Sequence, residues 1–162
     1  MAGMRVKYSS LGVRTKINRL RDLPASVAKP ILKKGAERIS ALASDYAPRD
    51  TSALEDAFMV MANAGTGTHT FGYRVVIDPS ATRTKGKKTE SVIQYAKMVH
   101  DRYGRPGKGT KAKAAELGVR AARNPGDKSN AVGGRFLERA AIQLKPSVVK
   151  ELREAVISRA RR

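Results

Sequence analysis

The period of the hydrophobic pattern changes near Pro48, and this change constrains the fold more than any other feature of the chain. Before Pro48, apolar side chains recur every three or four residues along one face of a helix that begins near Pro24. The positions on that face are Val27, Ile31, Leu32, Ile39, Leu42 and Tyr46. From Phe58 to Ala62 apolar side chains instead alternate in direction, which is the period of a strand. The first half of the chain therefore predicts a long helix followed by a strand.

The strand is predicted to form a hairpin with a second alternating segment, Phe71 to Ile77. Residues 63–68 are rich in glycine and would supply the turn. A short capped turn that contains Leu54 precedes the hairpin. Ser91 to Tyr103 then fits a helix, with a strand over Ser91 to Tyr95 as the alternative.

The C-terminal segment predicts a second long helix. Its apolar stripe consists of Phe136, Leu137, Ala140, Ala141, Leu144, Val148, Val149, Leu152 and Val156. Pro146 either kinks this helix or begins another one. The predicted fold class is α+β in a single domain: a long N-terminal helix and a C-terminal helix packed on a small antiparallel sheet, the hairpin at about 57–78.

Two segments rich in lysine, arginine and glycine interrupt this pattern. Residues 81–90 predict a mobile loop, because their composition cannot bury itself. Residues 104–134 contain seven of the chain's 14 glycines and predict a long basic loop, with at most a brief helical turn at 112–122. The basic side chains that we expect to contact DNA or a partner protein are Arg83, Lys85, Lys87, Lys88, Arg105, Lys108, Lys111, Lys113, Arg120 and Arg123.

The formal net charge of +19, from 33 Lys plus Arg against 14 Asp plus Glu, indicates a polyanionic neighbour. Nucleic acid is the first candidate, an acidic protein surface the second and an anionic membrane the third. Nucleic-acid contacts are expected to be independent of base sequence, since no helix-turn-helix spacing, zinc finger or aromatic platform is present.

The first 21 residues form a basic arm without acidic residues, and the pattern from Leu11 to Leu23 predicts a short amphipathic helix within it. This composition is also that of an organelle transit peptide. The arm's basic side chains are candidate contacts to a neighbouring subunit: Arg5, Lys7, Arg14, Lys16, Arg19 and Arg21.

The sequence contains little that supports enzyme chemistry. There is no cysteine, which excludes disulfides and thiolate chemistry. His69 and His100 stand alone, without the spacing of metal ligands. Gly104 to Lys111 superficially resembles a phosphate-binding loop, but Lys108 is followed by glycine where serine or threonine is needed. We therefore predict no catalytic residue, no metal and no cofactor. No run approaches the roughly 18 apolar residues of a membrane span.

Residues 46–54 read Tyr-Ala-Pro-Arg-Asp-Thr-Ser-Ala-Leu and follow directly on the predicted long helix. This arrangement resembles the head-tail joining family of long-tailed and contractile-tailed phages, whose members carry an Ala-Pro-x-Asp-Thr-Gly-x-Leu signature after an N-terminal helix. The matching residues include Pro48, Asp50, Thr51 and Leu54. Ser52 stands where the family usually has glycine, so the turn either avoids a positive φ angle or accepts strain.

Two later segments are similar to the same family. Tyr95 and Ala96 match the start of a Tyr-Ala-x-x-Val segment, although residues 100–104 depart from the Glu-x-Gly-Thr that normally follows it. Phe136 and Leu137 match a Pro-Phe-Leu-x-Pro-Ala segment at the start of the C-terminal helix, without its two prolines. The first resemblance extends from Ser10 to Phe58. The three stretches occur in the family's order and together cover most of the chain except the basic insertions at about 81–90 and 105–132.

The resemblance implies a structural protein and not an enzyme. A head-tail connector, neck or tail-completion (tail terminator) subunit forms a homo-oligomeric ring, usually sixfold, between the portal and head-closure proteins and the tail tube. Genomic DNA passes through such a ring, so inward basic loops would meet phosphate without reading sequence. The expected location is the neck or tail of the virion, assembled in the host cytoplasm, with no membrane partner.

Two other functions stay open on the sequence alone. A stand-alone basic nucleic-acid-binding protein, such as a ribosomal or nucleoid component, would account for the charge. A phosphoryl-transfer enzyme would have to use Lys108 in the segment 104–111.

Overall fold

The computed structural model describes residues 25–49, 52–64, 71–102, 107–121 and 131–160. The predictions for the basic arm and its short helix, for the turn that contains His69, and for Asp50, Thr51, Arg105 and Arg123 lie outside these residues. The elements in chain order are α1 (Ala25–Tyr46), α2 (Ala53–Asp56), β1 (Phe58–Ala64), β2 (Phe71–Ile77), β3 (Thr82–Lys85), β4 (Lys88–Ser91), α3 (Val92–Arg102), α4 (Lys108–Glu116), β5 (Arg120–Ala121), β6 (Ala131–Val132) and α5 (Phe136–Ala160). The predicted α+β class, with a long N-terminal helix, a C-terminal helix and small antiparallel sheets, is confirmed.

The helices α1 and α5 pack against each other along their apolar faces. Gly35 of α1 allows a close approach, since a Cβ at this position would lie 2.8 Å from Cγ2 of Val148. The buried side chains of this contact are Ala28, Val148 and Leu152, with Val27, Ile31, Leu32 and Val156 partly buried around them. Because α5 continues through Pro146, the C-terminal segment forms one helix and not two.

The strands β1 and β2 form the predicted hairpin, with Phe58 paired to Ile77 at its base. The alternation predicted along β1 is also observed. Phe58 turns inward and meets Phe136 of α5 edge to face, with ring centroids 5.7 Å apart and planes at 82°. Met59 and Met61 lie on the opposite face and are exposed. The hairpin thus covers the core with one face and presents the other.

The main core lies where α1, α2, α3 and α5 meet this hairpin. Its buried members are Ile39, Ala43, Tyr46, Ala47, Leu54, Ala57, Val92, Tyr95, Ala96, Val99, Phe136 and Ala140. Leu54 and Phe136 are almost completely buried, and burial of such side chains stabilises the fold by about 1.5–3 kcal/mol each. Ser52, which precedes α2, has a φ of −62°. The turn at the glycine position of the family signature therefore avoids a positive φ.

Residues 81–90 do not form the mobile loop that their composition predicts. They form the antiparallel hairpin of β3 and β4, in which Arg83 pairs with Glu90 and Lys85 with Lys88. Gly86 has a φ of +63° and opens a two-residue turn, as in type II′ hairpins. The prediction was wrong because the buried position of β3 is occupied by Arg83, so the strand lacks the alternation of apolar residues that would predict it.

The helix α3 begins directly after β4, so the helical alternative for Ser91 to Tyr103 is the correct one. The backbone N–H of Val92 donates to the carbonyl of Ala81 at 2.9 Å and closes the base of the second hairpin. This bond ties the position of the β3–β4 hairpin to α3.

The described part of 104–134 is also more ordered than the predicted long loop. It contains α4 and a short parallel pair in which Arg120 lies beside Ala131 and Ala121 beside Val132. The prediction was wrong here because alanines at 112, 114 and 115 favour a helix and because this helix docks on the end of α1. No helix in the described part of the chain is long and apolar enough to cross a membrane.

Candidate functional site: a convergent core and a basic hairpin

The three segments that resemble the phage family meet in the main core. They lie at the end of α1 and in α2, at the first turn of α3, and at the start of α5. Their buried residues are Tyr46, Ala47, Pro48, Leu54, Tyr95, Ala96 and Phe136, and Leu137 is partly buried. Segments that are distant in sequence thus form one structural unit.

Tyr46 joins the first segment to the third. Its hydroxyl donates to Oε1 of Gln143, and its ring lies 5.7 Å from the guanidinium carbon of Arg139. Burial raises the pKa of the Tyr46 hydroxyl above its usual 10.0, although the charge of Arg139 acts in the opposite direction. Sequence reasoning missed Arg139; its only signal is a helical spacing of three residues from Phe136.

The C-terminal end of α1 is capped by groups from distant parts of the chain. The last carbonyls of a helix have no partner within it and need donors from elsewhere. The ammonium of Lys113 donates to the carbonyl of Ser44 at 2.6 Å and to that of Ala47 at 3.0 Å. The backbone N–H of Gly133 donates to the carbonyl of Tyr46 at 2.7 Å. Lys113 and Gly133, from two separate parts of the segment 104–134, therefore bind the same helix end.

Glu55 of α2 completes this cap with its charge. Its Oε1 lies 3.1 Å from Nζ of Lys113 and 3.1 Å from Nε of Arg49, whose Nη1 lies 2.9 Å from Oε2 of Glu116. Burial lowers the pKa of the Lys113 ammonium, against Glu55, which raises it. Gly109 packs tightly beside this network, because a Cβ there would lie 2.5 Å from the carbonyl oxygen of Arg49.

The prediction that Lys113 contacts DNA or a partner is therefore wrong. Its side chain is only 4% exposed, and its donors are used inside the chain. Lys113 is a structural lysine that fixes α4 to α1 and α2. Sequence reasoning did not single out Arg49 or Glu55; Arg49 fills the variable position of the Pro-x-Asp signature and gave no signal of its own.

Arg83 is likewise buried, so its predicted role as an exposed contact is wrong. Its guanidinium carbon lies 3.6 Å from the centroid of the Tyr95 ring, and its Nη2 lies 2.8 Å from Oε2 of Glu90. A guanidinium stacked on an aromatic face is held both by the ring's charge distribution and by packing. Arg83 therefore anchors the β3–β4 hairpin to α3.

Five other basic candidates have side chains that the structure describes, and all five are exposed. Lys87 and Lys88 are exposed at the tip of the β3–β4 hairpin, where Lys88 pairs in register with Lys85. On the insertion, Lys108, Lys111 and Arg120 are exposed. The structure thus separates the predicted basic set into buried structural members and an exposed remainder.

No group of three or more metal-ligating side chains occurs within the described residues. His100 lies in α3. Lys108 is the first residue of α4, but the nearest preceding element is the helix α3, where a phosphate-binding loop would have a strand.

Comparison of the chain with known proteins finds no matching family model, no matching curated protein and no matching solved structure.

Proposed function

We propose that this protein is a structural subunit of a tailed-phage particle. In this role it is a head-tail connector, neck or tail-completion subunit that forms a homo-oligomeric ring between the portal or head-closure ring and the tail tube. The observation that carries the proposal is the convergence of the three family-like segments in one core. It acts in the virion after assembly in the host cytoplasm.

The convergence supports the proposal because the matched residues that the structure describes are buried or partly buried in this one core. Leu54 and Phe136 fill the centre of the core, and Tyr95 supports the β3–β4 hairpin. In a family whose members share a mechanical role and catalyse no reaction, we expect the common residues to be those that stabilise the core.

Exposed apolar side chains support assembly with other copies or neighbours. Met59 and Met61 are each 38% exposed on the outer face of the β1–β2 hairpin, and Ile142 and Ile157 are each 51% exposed on α5. A ring subunit would bury such groups on assembly, since interface cores are enriched in methionine and apolar side chains.

The proposal is tested by removing the protein from a phage that encodes it. Particles made without it should comprise filled heads and complete tails that do not join, as seen by negative-stain electron microscopy. The purified chain should form a closed oligomer, and native mass spectrometry should give its copy number. Normal infectious particles, or a chain that stays monomeric and binds no neck or tail-tube protein, would refute the role.

A second candidate is a stand-alone basic nucleic-acid-binding protein, favoured by the exposed lysines Lys87 and Lys88. It predicts tight, salt-sensitive binding of DNA or RNA by the monomeric chain and normal head-tail joining without it.

A further inference from the structure

We infer that the tip of the β3–β4 hairpin binds the phosphodiester backbone of double-stranded DNA through Lys85, Lys87 and Lys88. The inference names the partner that the proposed ring would meet in its channel and rests on the proposed function for that setting. The binding itself is a property of the hairpin and can be measured on the isolated chain.

The charge of the hairpin is concentrated at its tip. Arg83 and Glu90 neutralise each other at the base, which leaves three lysines and no carboxylate from Lys85 to Thr89. Within the described residues, neither Lys87 nor Lys88 has an ion pair with a carboxylate. Lys87 and Lys88 therefore form a cationic group at the tip of an ordered hairpin, and no carboxylate of the described residues pairs with it.

The register of the two strands makes this charge costly. Lys85 and Lys88 are directly opposite each other in the antiparallel pair, and like charges at such positions destabilise a hairpin. Lys87 adds a third charge in the turn itself. A bound anion would remove the repulsion, so the arrangement favours a ligand with closely spaced negative groups.

The base of the hairpin is held firmly, which keeps the tip ready to bind. Arg83 is stacked on Tyr95 of α3, and Val92 is bonded to Ala81. The hydroxyls of Thr84 and Thr89 approach each other to 3.4 Å across the strands. An ordered finger loses less conformational entropy on binding than a mobile loop would.

The side chains at the tip favour phosphate over an acidic protein. From Thr84 to Thr89 there is no aromatic or aliphatic side chain that could serve as an interface anchor, whereas lysine is depleted in protein interfaces. Lysine ammoniums and threonine hydroxyls are typical donors to phosphate. Gly86 has open space around its Cα, so that a backbone could come close.

The same residues favour the duplex backbone over bases. Stacking on single-stranded bases needs aromatic side chains, which the tip lacks. Of the side chains that read base edges, the tip carries only lysine, a point charge that equally suits phosphate; arginine, asparagine and glutamine are absent from it. We therefore expect binding without sequence preference.

The test compares two triple variants of the full chain on a fluorescently labelled DNA duplex of arbitrary sequence. The hairpin variant carries Lys85→Gln, Lys87→Gln and Lys88→Gln. The matched control carries Lys34→Gln, Lys145→Gln and Lys150→Gln, which removes the same charge from exposed positions on α1 and α5. Fluorescence anisotropy gives the affinity over a series of salt concentrations, and circular dichroism checks that both variants are folded.

The hairpin variant should bind the duplex at least about tenfold more weakly than the wild type, and its slope of log affinity against log salt should be smaller by about two to three. The control should lose clearly less affinity and change the slope by less than about one. Equal losses in the two variants would overturn the inference, because net charge alone would then set the affinity.

Poly-glutamate serves as the probe for an acidic protein. If it binds as tightly as the duplex and depends equally on the hairpin lysines, the tip is a protein contact and the inference is overturned. Native mass spectrometry of the same samples tests the proposed ring separately. If the wild-type chain is monomeric and DNA affinity falls only in the hairpin variant, the DNA inference is supported and the proposed ring is contradicted.

Discussion

The ammonium of Lys113 lies 3.1 Å from the carboxylate of Glu55, although 57 intervening residues separate the two side chains in sequence. The contact is made at the end of α1, where the same ammonium donates to the carbonyls of Ser44 and Ala47. Lys113 of α4 therefore caps α1 and pairs with the partly buried carboxylate of Glu55 in α2.

Replacing Lys113 by methionine should lower the free energy of unfolding by about 2–4 kcal/mol, because two helix-end carbonyls lose their charged donor and Glu55 loses a partner. Urea unfolding followed by circular dichroism measures the change. Lys111→Met on the exposed side of the same helix is the control and should change stability by less than about 0.5 kcal/mol. Equal stability of the two variants would contradict the capping role.

The contribution of Lys113 to the free energy of unfolding should change with pH in the alkaline range. Burial lowers the pKa of its ammonium below the usual 10.5, so the unfolded chain holds this proton to higher pH than the folded chain. Between the two pKa values the unfolded state binds more protons, and the free energy of unfolding rises with pH. The stability difference between the wild type and Lys113→Met should therefore widen as the pH approaches 10.5. Urea unfolding at a series of pH values measures it, and a difference that shrinks would mean that the pKa is raised.

Gly109→Ala should destabilise the docked α4 by about 1–3 kcal/mol, even though alanine favours a helix by about 1 kcal/mol. The physical reason is that the new Cβ would lie 2.5 Å from the backbone oxygen of Arg49, which cannot move aside cheaply. Thermal unfolding and hydrogen exchange of the α4 amides measure the effect. Gly107→Ser is the control, since a Cβ at Gly107 meets no atom within 4 Å. Faster exchange in both variants alike would argue against a specific contact at Gly109.

Lys88→Glu should stabilise the protein and weaken its binding to DNA at the same time. It replaces the like-charge pair with Lys85 by an attractive pair, a change worth about 0.2–1 kcal/mol. Lys145→Glu on α5 makes the same change in net charge and should have the smaller effect on DNA affinity. The melting temperature and the anisotropy titration are the two measurements. A variant that binds duplex DNA as well as Lys145→Glu does would exclude Lys88 from the contact.

The parts of the fold that the sequence predicted are those with a strong apolar period. The helix α1, the hairpin β1–β2 and the helix α5 each bury a regular stripe or alternation, so their residues carry the signal directly. The β3–β4 hairpin could not be found in this way, because its inward side chain is Arg83 and its partner ring, Tyr95, lies in the next element.

The candidate site shows the same limit at single residues. Lys111 and Lys113 are separated by one residue and look alike in sequence, yet the first is exposed and the second is buried. Residues two positions apart in a helix are separated by about 200° around its axis, so their side chains point to nearly opposite sides. Which side of α4 faces the protein depends on the docking against Arg49 and α1, a tertiary contact that no local pattern contains.

The cap at the end of α1 has a consequence for where this protein can accept inserted residues. Lys113 and Gly133 both bind the end of α1, and the parallel pairing of β5 with β6 places Ala121 beside Val132. Because these fixed points lie close together, doubling the number of residues that connect them should cost only about 0.6 kcal/mol. A reporter peptide or an affinity tag inserted between residues 121 and 131 is therefore expected to leave α1 and α5 in place.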